Sequence, residues 1–214
     1  MNIRDEIEKE HSKKRALRIA NYAVQNKQQF KELMSCYTHE DYRLSQRAAW
    51  SVSRAAKNKP EMIAPYINVL VKRLQEPNVH PAVICNAVSI LEDINIPEQF
   101  HGEIMNACFG FIETPSTPAA IKAFSLTVLF NLSQQYPEIK PELKLIIEER
   151  WDTETAAFRS RGKKILKKIS DVWWLMSDIY SPGNKIISIS YIRHQRSYIL
   201  IKHPYLNSLF HFSQ

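Results

Sequence analysis

A shift of 38 residues brings three stretches of this 214-residue chain into register, and that constrains the fold more than any single motif does. Ala49, Ala87 and Ser125 align, then Trp50, Val88 and Leu126, then Val52, Ile90 and Val128. Further along, Ile67, Met105 and Leu143 align, followed by Leu70, Cys108 and Ile146, and by Val71, Phe109 and Ile147. The apolar positions in each set recur at helical spacing, so the repeating object is a pair of helices. A shift of 32 places Arg15-Ala16 on Arg47-Ala48 and Asn26-Lys27 on Asn58-Lys59, adding a shorter copy at the front. Residues 155–169 predict one closing helix, with Phe158, Gly162, Ile165 and Ile169 on a single face.

The punctuation agrees with the register. Pro60-Glu61, Pro97-Glu98 and Pro137-Glu138 each stand where a second helix of a pair opens. Proline at the first helical position loses no hydrogen bond, and glutamate there complements the helix dipole. His80-Pro81-Ala82 and Thr117-Pro118-Ala119 open two of the first helices, with Thr117 expected as an N-cap. The expected fold is therefore all-α: an α-solenoid of HEAT- or armadillo-like helical hairpins, about four pairs and a closing helix over residues 1–170. In such an array each hairpin buries its apolar face only against its neighbours.

From about residue 8 to Ile169 the chain resembles a small HEAT-like repeat family of Bacteroidota. His11-Ser12-Lys13-Lys14-Arg15, Gln46-Arg47-Ala48-Ala49-Trp50, the run from Tyr136 to Lys144 (Tyr-Pro-Glu-Ile-Lys-Pro-Glu-Leu-Lys) and Ile165-Leu166-Lys167-Lys168-Ile169 carry the likeness. Members of that family sometimes bear an adenylosuccinate lyase label, and the resemblance implies the same label here. The chemistry does not come with it. Lyases of that superfamily are far longer and need a flexible glycine- and serine-rich loop, of which Ser181-Pro182-Gly183-Asn184-Lys185 is a superficial echo.

Composition shifts after Ser170: the last 44 residues hold no alanine and no glutamate, and the helical period stops. Residues 171–214 are expected to be an atypical tail, either out of frame and irregular or a genuine appendage. In the second case 185–192 and 197–202 would form a short hairpin and Trp173 and Trp174 would pack on the closing helix.

Several function classes are excluded by what the chain lacks. Four glycines and no GxGxxG or GxxxxGK[ST] pattern leave no phosphate-cradling loop. Cys36, Cys85 and Cys108 lie inside apolar helical patterns and form no CxxC, so they are expected as reduced core thiols of a cytoplasmic protein. His11, His39, His80 and His101 stand near helix boundaries without metal-ligand spacing and are expected to cap helices or face solvent. No metal and no cofactor is expected. The charged start, with no apolar leader, and the short apolar runs point away from a membrane.

The net charge of +7 is unevenly placed. Residues 81–120 contain no Lys or Arg and five acids, Glu92, Asp93, Glu98, Glu103 and Glu113, between basic flanks. Those carboxylates are spread over two helices and a loop without a nucleophile, which suits a solvated face or a basic partner better than acid–base catalysis. Two basic groups stand out. On the helix over 42–57, Leu44, Ala48, Val52, Ala55 and Ala56 form one apolar face, and Arg43, Arg47, Trp50, Arg54 and Lys57 lie opposite within an arc of about 80°. Such a row can hold a phosphate backbone or an acidic protein. Trp50, however, aligns with Val88 and Leu126, which points instead to a place between repeats. On the closing helix, Arg159, Arg161, Lys163, Lys164, Lys167 and Lys168 surround the apolar stripe, either as the polar face of a terminal cap or as an anion-binding end.

The expected function is a non-enzymatic scaffold or adaptor that binds another protein. The alternative is a basic HEAT-like nucleic-acid binder, similar in architecture to the alkylpurine DNA glycosylases built from such repeats. A lyase is the third reading. The sequence sets no oligomeric state.

Overall fold

The computed structural model describes residues 1–177, with side chains to residue 170. The two strands expected at 185–192 and 197–202 lie outside the described residues, as do the side chains of Trp173 and Trp174. The regular elements of the described part are all helical: α1 (Ile3–Lys9), α2 (Lys13–Ala23), α3 (Lys27–Tyr37), α4 (Tyr42–Asn58), α5 (Pro60–Ile63), α6 (Ile67–Gln75), α7 (Pro81–Leu91), α8 (His101–Glu113), α9 (Ala119–Leu132), α10 (Lys140–Glu149) and α11 (Ala156–Ser177). After α1, the chain order gives α2 with α3, α4 with α5–α6, α7 with α8, and α9 with α10, then α11. This is the expected all-α array of helical hairpins.

Side chains at the helix starts explain where the helices begin. Asn2, Ser12, Asn26 and Asp41 each accept a hydrogen bond from a backbone N–H in the first turn of α1, α2, α3 and α4. Donors that would otherwise be orphaned are thereby satisfied. His80 does the same for α7, its Nδ1 accepting from Ala82 N at 3.1 Å. Before α9 the expected cap is displaced: Pro118 holds the N-cap position, with extended φ −55° and ψ 139°, and Thr117 makes no side-chain cap. The three Pro-Glu pairs open single turns, α5 and the short 3-10 turns Glu98–Phe100 and Pro137–Ile139, and the longer helices follow at Ile67, His101 and Lys140. The closing helix runs to Ser177, beyond the expected end at Ile169.

The chain forms two compact units, Met1–Ala107 and one that begins at Cys108. In the first, α4 packs against α2, α3 and α7. Its inward side is built from small residues, with Ser45, Ala48, Ala49, Ser51, Ser53, Ala55 and Ala56 all buried, so neighbouring backbones can approach closely. Larger side chains fill the layers between helices: Ile3, Ile7, Ile19, Phe30, Leu33, Leu44 and Leu70 are buried. Each such side chain contributes about 1.5–3 kcal/mol relative to exposure. In the second unit α9 lies on α11. A Cβ on Gly162 would meet Ile147 Cγ2 at 2.8 Å, so α11 needs glycine where it crosses α10.

The repeat register is also the burial register. Of the eighteen aligned positions, seventeen are buried and Trp50 alone is not.

Candidate partner-binding surface

Trp50 projects from the side of α4 opposite its small-residue face. Its ring is tilted 52° to that of His11, with centroids 5.5 Å apart. The residues expected around it have diverged in use. Arg47 Nη1 donates to Glu8 O at 2.9 Å, and Lys57 Nζ lies 2.8 Å from Asp93 Oδ2. Those two cations join α4 to the segments on either side of it. Arg43 is exposed, donating from Nε to Tyr42 Oη at 3.0 Å with its guanidinium 5.8 Å from the ring centre. Tyr42 itself is 58% exposed. Arg54 is half-buried, and its Nε is shut away from solvent without a hydrogen-bond partner. A guanidinium donor buried in that way is left at a cost of about 1–3 kcal/mol until something accepts from it. Tyr42, Arg43, Trp50 and Arg54 therefore remain as the open part of the row.

The basic end divides in the same manner. Arg159 Nη1 donates to Glu154 O at 2.7 Å, which fastens the start of α11 to the loop before it. Arg161 lies 4.6 Å from the Phe124 ring centre and also donates to Thr127 Oγ1. Lys168 Nζ stands 5.1 Å over Phe130. Lys163, Lys164, Lys167 and Lys168 are exposed with no ion pair among the described residues, and of these Lys168 alone has a ring contact there. Arg161 and Lys168 thus pack α11 onto α9.

Two charged clusters escaped the sequence reading. Lys122 Nζ lies 2.5 Å from Glu154 Oε1, with side chains only 4% and 8% exposed, and Arg150 Nη1 is 3.5 Å from the same oxygen. The available signal was that Lys122 is the one charged residue in α9. In the first unit Glu6 receives Lys9 and Arg15, each at 2.7 Å, with Arg18 at 3.8 Å. The hydrogen bond from Lys9, aided by the three positive charges, holds its carboxyl below the ordinary value.

Burial pushes the Cys36 thiol up to about 11 and the Cys108 thiol up to about 12, and raises Cys85 as well, which disfavours the nucleophilic thiolate. His39 Nδ1 accepts from Asp41 N at 3.0 Å, a local cap. His101 departs from expectation: it is buried, because its ring reaches back to donate from Nε2 to Ile96 O at 2.7 Å. Among the described residues no three His, Cys, Asp or Glu side chains gather where they could hold a metal ion. No described helix is long and apolar enough to cross a membrane.

Comparison with family models matches residues 3–169 to a HEAT repeat domain. Comparison with curated proteins and with solved structures returns no match.

Proposed function

The chain belongs to the HEAT repeat domain family, and from that premise we propose that it is a non-enzymatic scaffold that binds another protein through the open face of α4. The observation that carries the reading is Trp50. At the aligned positions Val88 and Leu126 are fully buried, whereas Trp50 stays half open beside an unpartnered Arg54, an exposed Arg43 and an exposed Tyr42. Tryptophan, tyrosine and arginine are the side chains that carry most binding energy where proteins meet. Arg43 and Arg54 lie eleven residues apart, about 16 Å along α4, so two separate carboxylates brought by the partner would pair with them.

Arg47 and Lys57 support α4 rather than the contact, since each already has a partner inside the chain. This loosens the case for a phosphate-binding row, which wanted five successive cations or stacking groups. The narrower likeness to a Bacteroidota family brings no lyase activity into the proposal, because no catalytic residue came with it. The proposal places the scaffold in the cytoplasm, a reading that three free thiols support.

A photo-crosslinking residue placed at Gln46, on α4, tests the proposal in cells that make the protein. A discrete protein adduct is expected, and it should disappear in an Arg43→Glu, Arg54→Glu double variant that keeps its far-UV circular dichroism. Absence of any protein adduct, or duplex binding that falls steeply with salt and is lost in the variant, would refute it.

A further inference from the structure

A second surface lies in the first unit on α2, separate from the α4 face. Lys14, Leu17, Arg18, Asn21 and Tyr22 recur three or four residues apart and share one stripe of that helix, and Gln25 follows just past its end. Together with Met1 they line an open groove of about 580 Å³. Leu17 and Tyr22 are half-buried along its floor, and Met1, 39% exposed, closes one side with its amino group 3.2 Å from Tyr22 Oη. Lys14 and Arg18 stand exposed at the rim. At helical rise the stripe from Lys14 to Tyr22 is about 12 Å long, roughly two turns.

Charge decides what fits. None of the lining residues is acidic. Lys14 has no ion pair among the described residues, and Arg18 has only a 3.8 Å approach to Glu6, whose two oxygens already take Lys9 and Arg15 at 2.7 Å. An apolar floor with Lys14 unpaired and Arg18 loosely paired along one rim is complementary to an apolar stripe with acids beside it. The described residues offer no strand edge for an extended peptide to join, so main-chain pairing has no template.

We infer that this groove takes an acidic amphipathic helix of a partner protein, its apolar stripe on Met1, Leu17 and Tyr22 and its flanking carboxylates on Lys14 and Arg18. The inference adds a second contact surface to the scaffold and does not depend on the α4 face being used. A nucleic acid would engage the rim and leave the apolar floor wet, which is why the protein helix is the occupant named.

A displayed library of helical peptides, selected on the full chain, tests it. Selection should enrich sequences with apolar residues at steps of three and four beside Glu or Asp. A labelled peptide of the enriched type should bind about tenfold more weakly, or worse, to Leu17→Ala and to Arg18→Glu. Its affinity for Arg43→Glu, Arg54→Glu should be unchanged. Arg18 is exposed, so its variant keeps the fold, and circular dichroism checks both. The inference is overturned if no peptide is enriched, if the enriched peptides are basic, if both groove variants bind as wild type does, or if duplex nucleic acid competes at the groove. Loss of peptide binding only in the α4 double variant would sink the groove while leaving the scaffold reading in place.

Discussion

Replacing Lys122 by methionine removes one charge from the most enclosed ion pair of the second unit while roughly keeping the length of the side chain. Lys122 Nζ bonds Glu154 Oε1 at 2.5 Å and Pro115 O at 3.3 Å. Breaking a buried pair from one side costs about 3–5 kcal/mol, chiefly because the surviving charge stays out of water. Here Glu154 keeps Arg150 at 3.5 Å, so the lower end applies, about 3 kcal/mol. For a chain of this size that is a fall in melting temperature of about 6–12 °C. The paired replacement Lys122→Met, Glu154→Leu leaves no orphan charge, and Arg150 still donates to Glu113 O. The pair should therefore lie within about 1 kcal/mol of wild type, since apolar groups commonly replace a buried ion pair without loss. Urea unfolding followed by far-UV circular dichroism measures the whole cycle, and a coupling of about 2 kcal/mol or more is expected. If Lys122→Met alone costs under about 1 kcal/mol, or the double variant is as unstable as the single, the argument from desolvation is wrong.

Gly110→Ala and Gly162→Ala should have opposite signs in the same unfolding assay. A Cβ at Gly110 meets nothing within 4 Å, so helix propensity stabilises by about 0.5–1 kcal/mol. At Gly162 it strikes the branched Ile147 side chain at 2.8 Å, and overpacking of about 1–3 kcal/mol outweighs that gain. Glu6 gives a pH signature: its carboxyl is held below the ordinary 4.5, so its stabilising contribution is complete above that value and is lost as pH falls through the lowered folded value. Melting temperature against pH should accordingly drop less on the acid side in Glu6→Gln, which begins less stable near neutrality. Alkylation of the native chain should modify half-buried Cys85 first and Cys108 only on unfolding, as peptide mapping after timed quenching would show; early modification of Cys108 would contradict its burial.

Which positions face inward was legible in the amino-acid order, because a hairpin that buries its face only against its neighbours must repeat the same apolar spacing in every copy. Leu70, Cys108 and Ile146 differ in chemistry, yet all three are buried at one register position. Helix starts were legible for a related reason: capping is local, and Ser12 needs only Arg15 three residues on. What charged side chains do was another matter. Arg43, Arg47, Arg54 and Lys57 share one helical arc, and nothing in that arc separates them. Arg47 is committed by Glu8, 39 residues away, and Lys57 by Asp93 of the next hairpin, while Arg54 finds no acceptor. Lys122 is a lone charge in an apolar helix, and its partner Glu154 comes from 32 residues on. Helical periodicity assigns each residue a direction from its own axis, so the sequence alone determined the repeat and its buried faces. Only the tertiary structure decided which cations are spent holding helices together, because that depends on what distant backbone and carboxylates arrive at each direction.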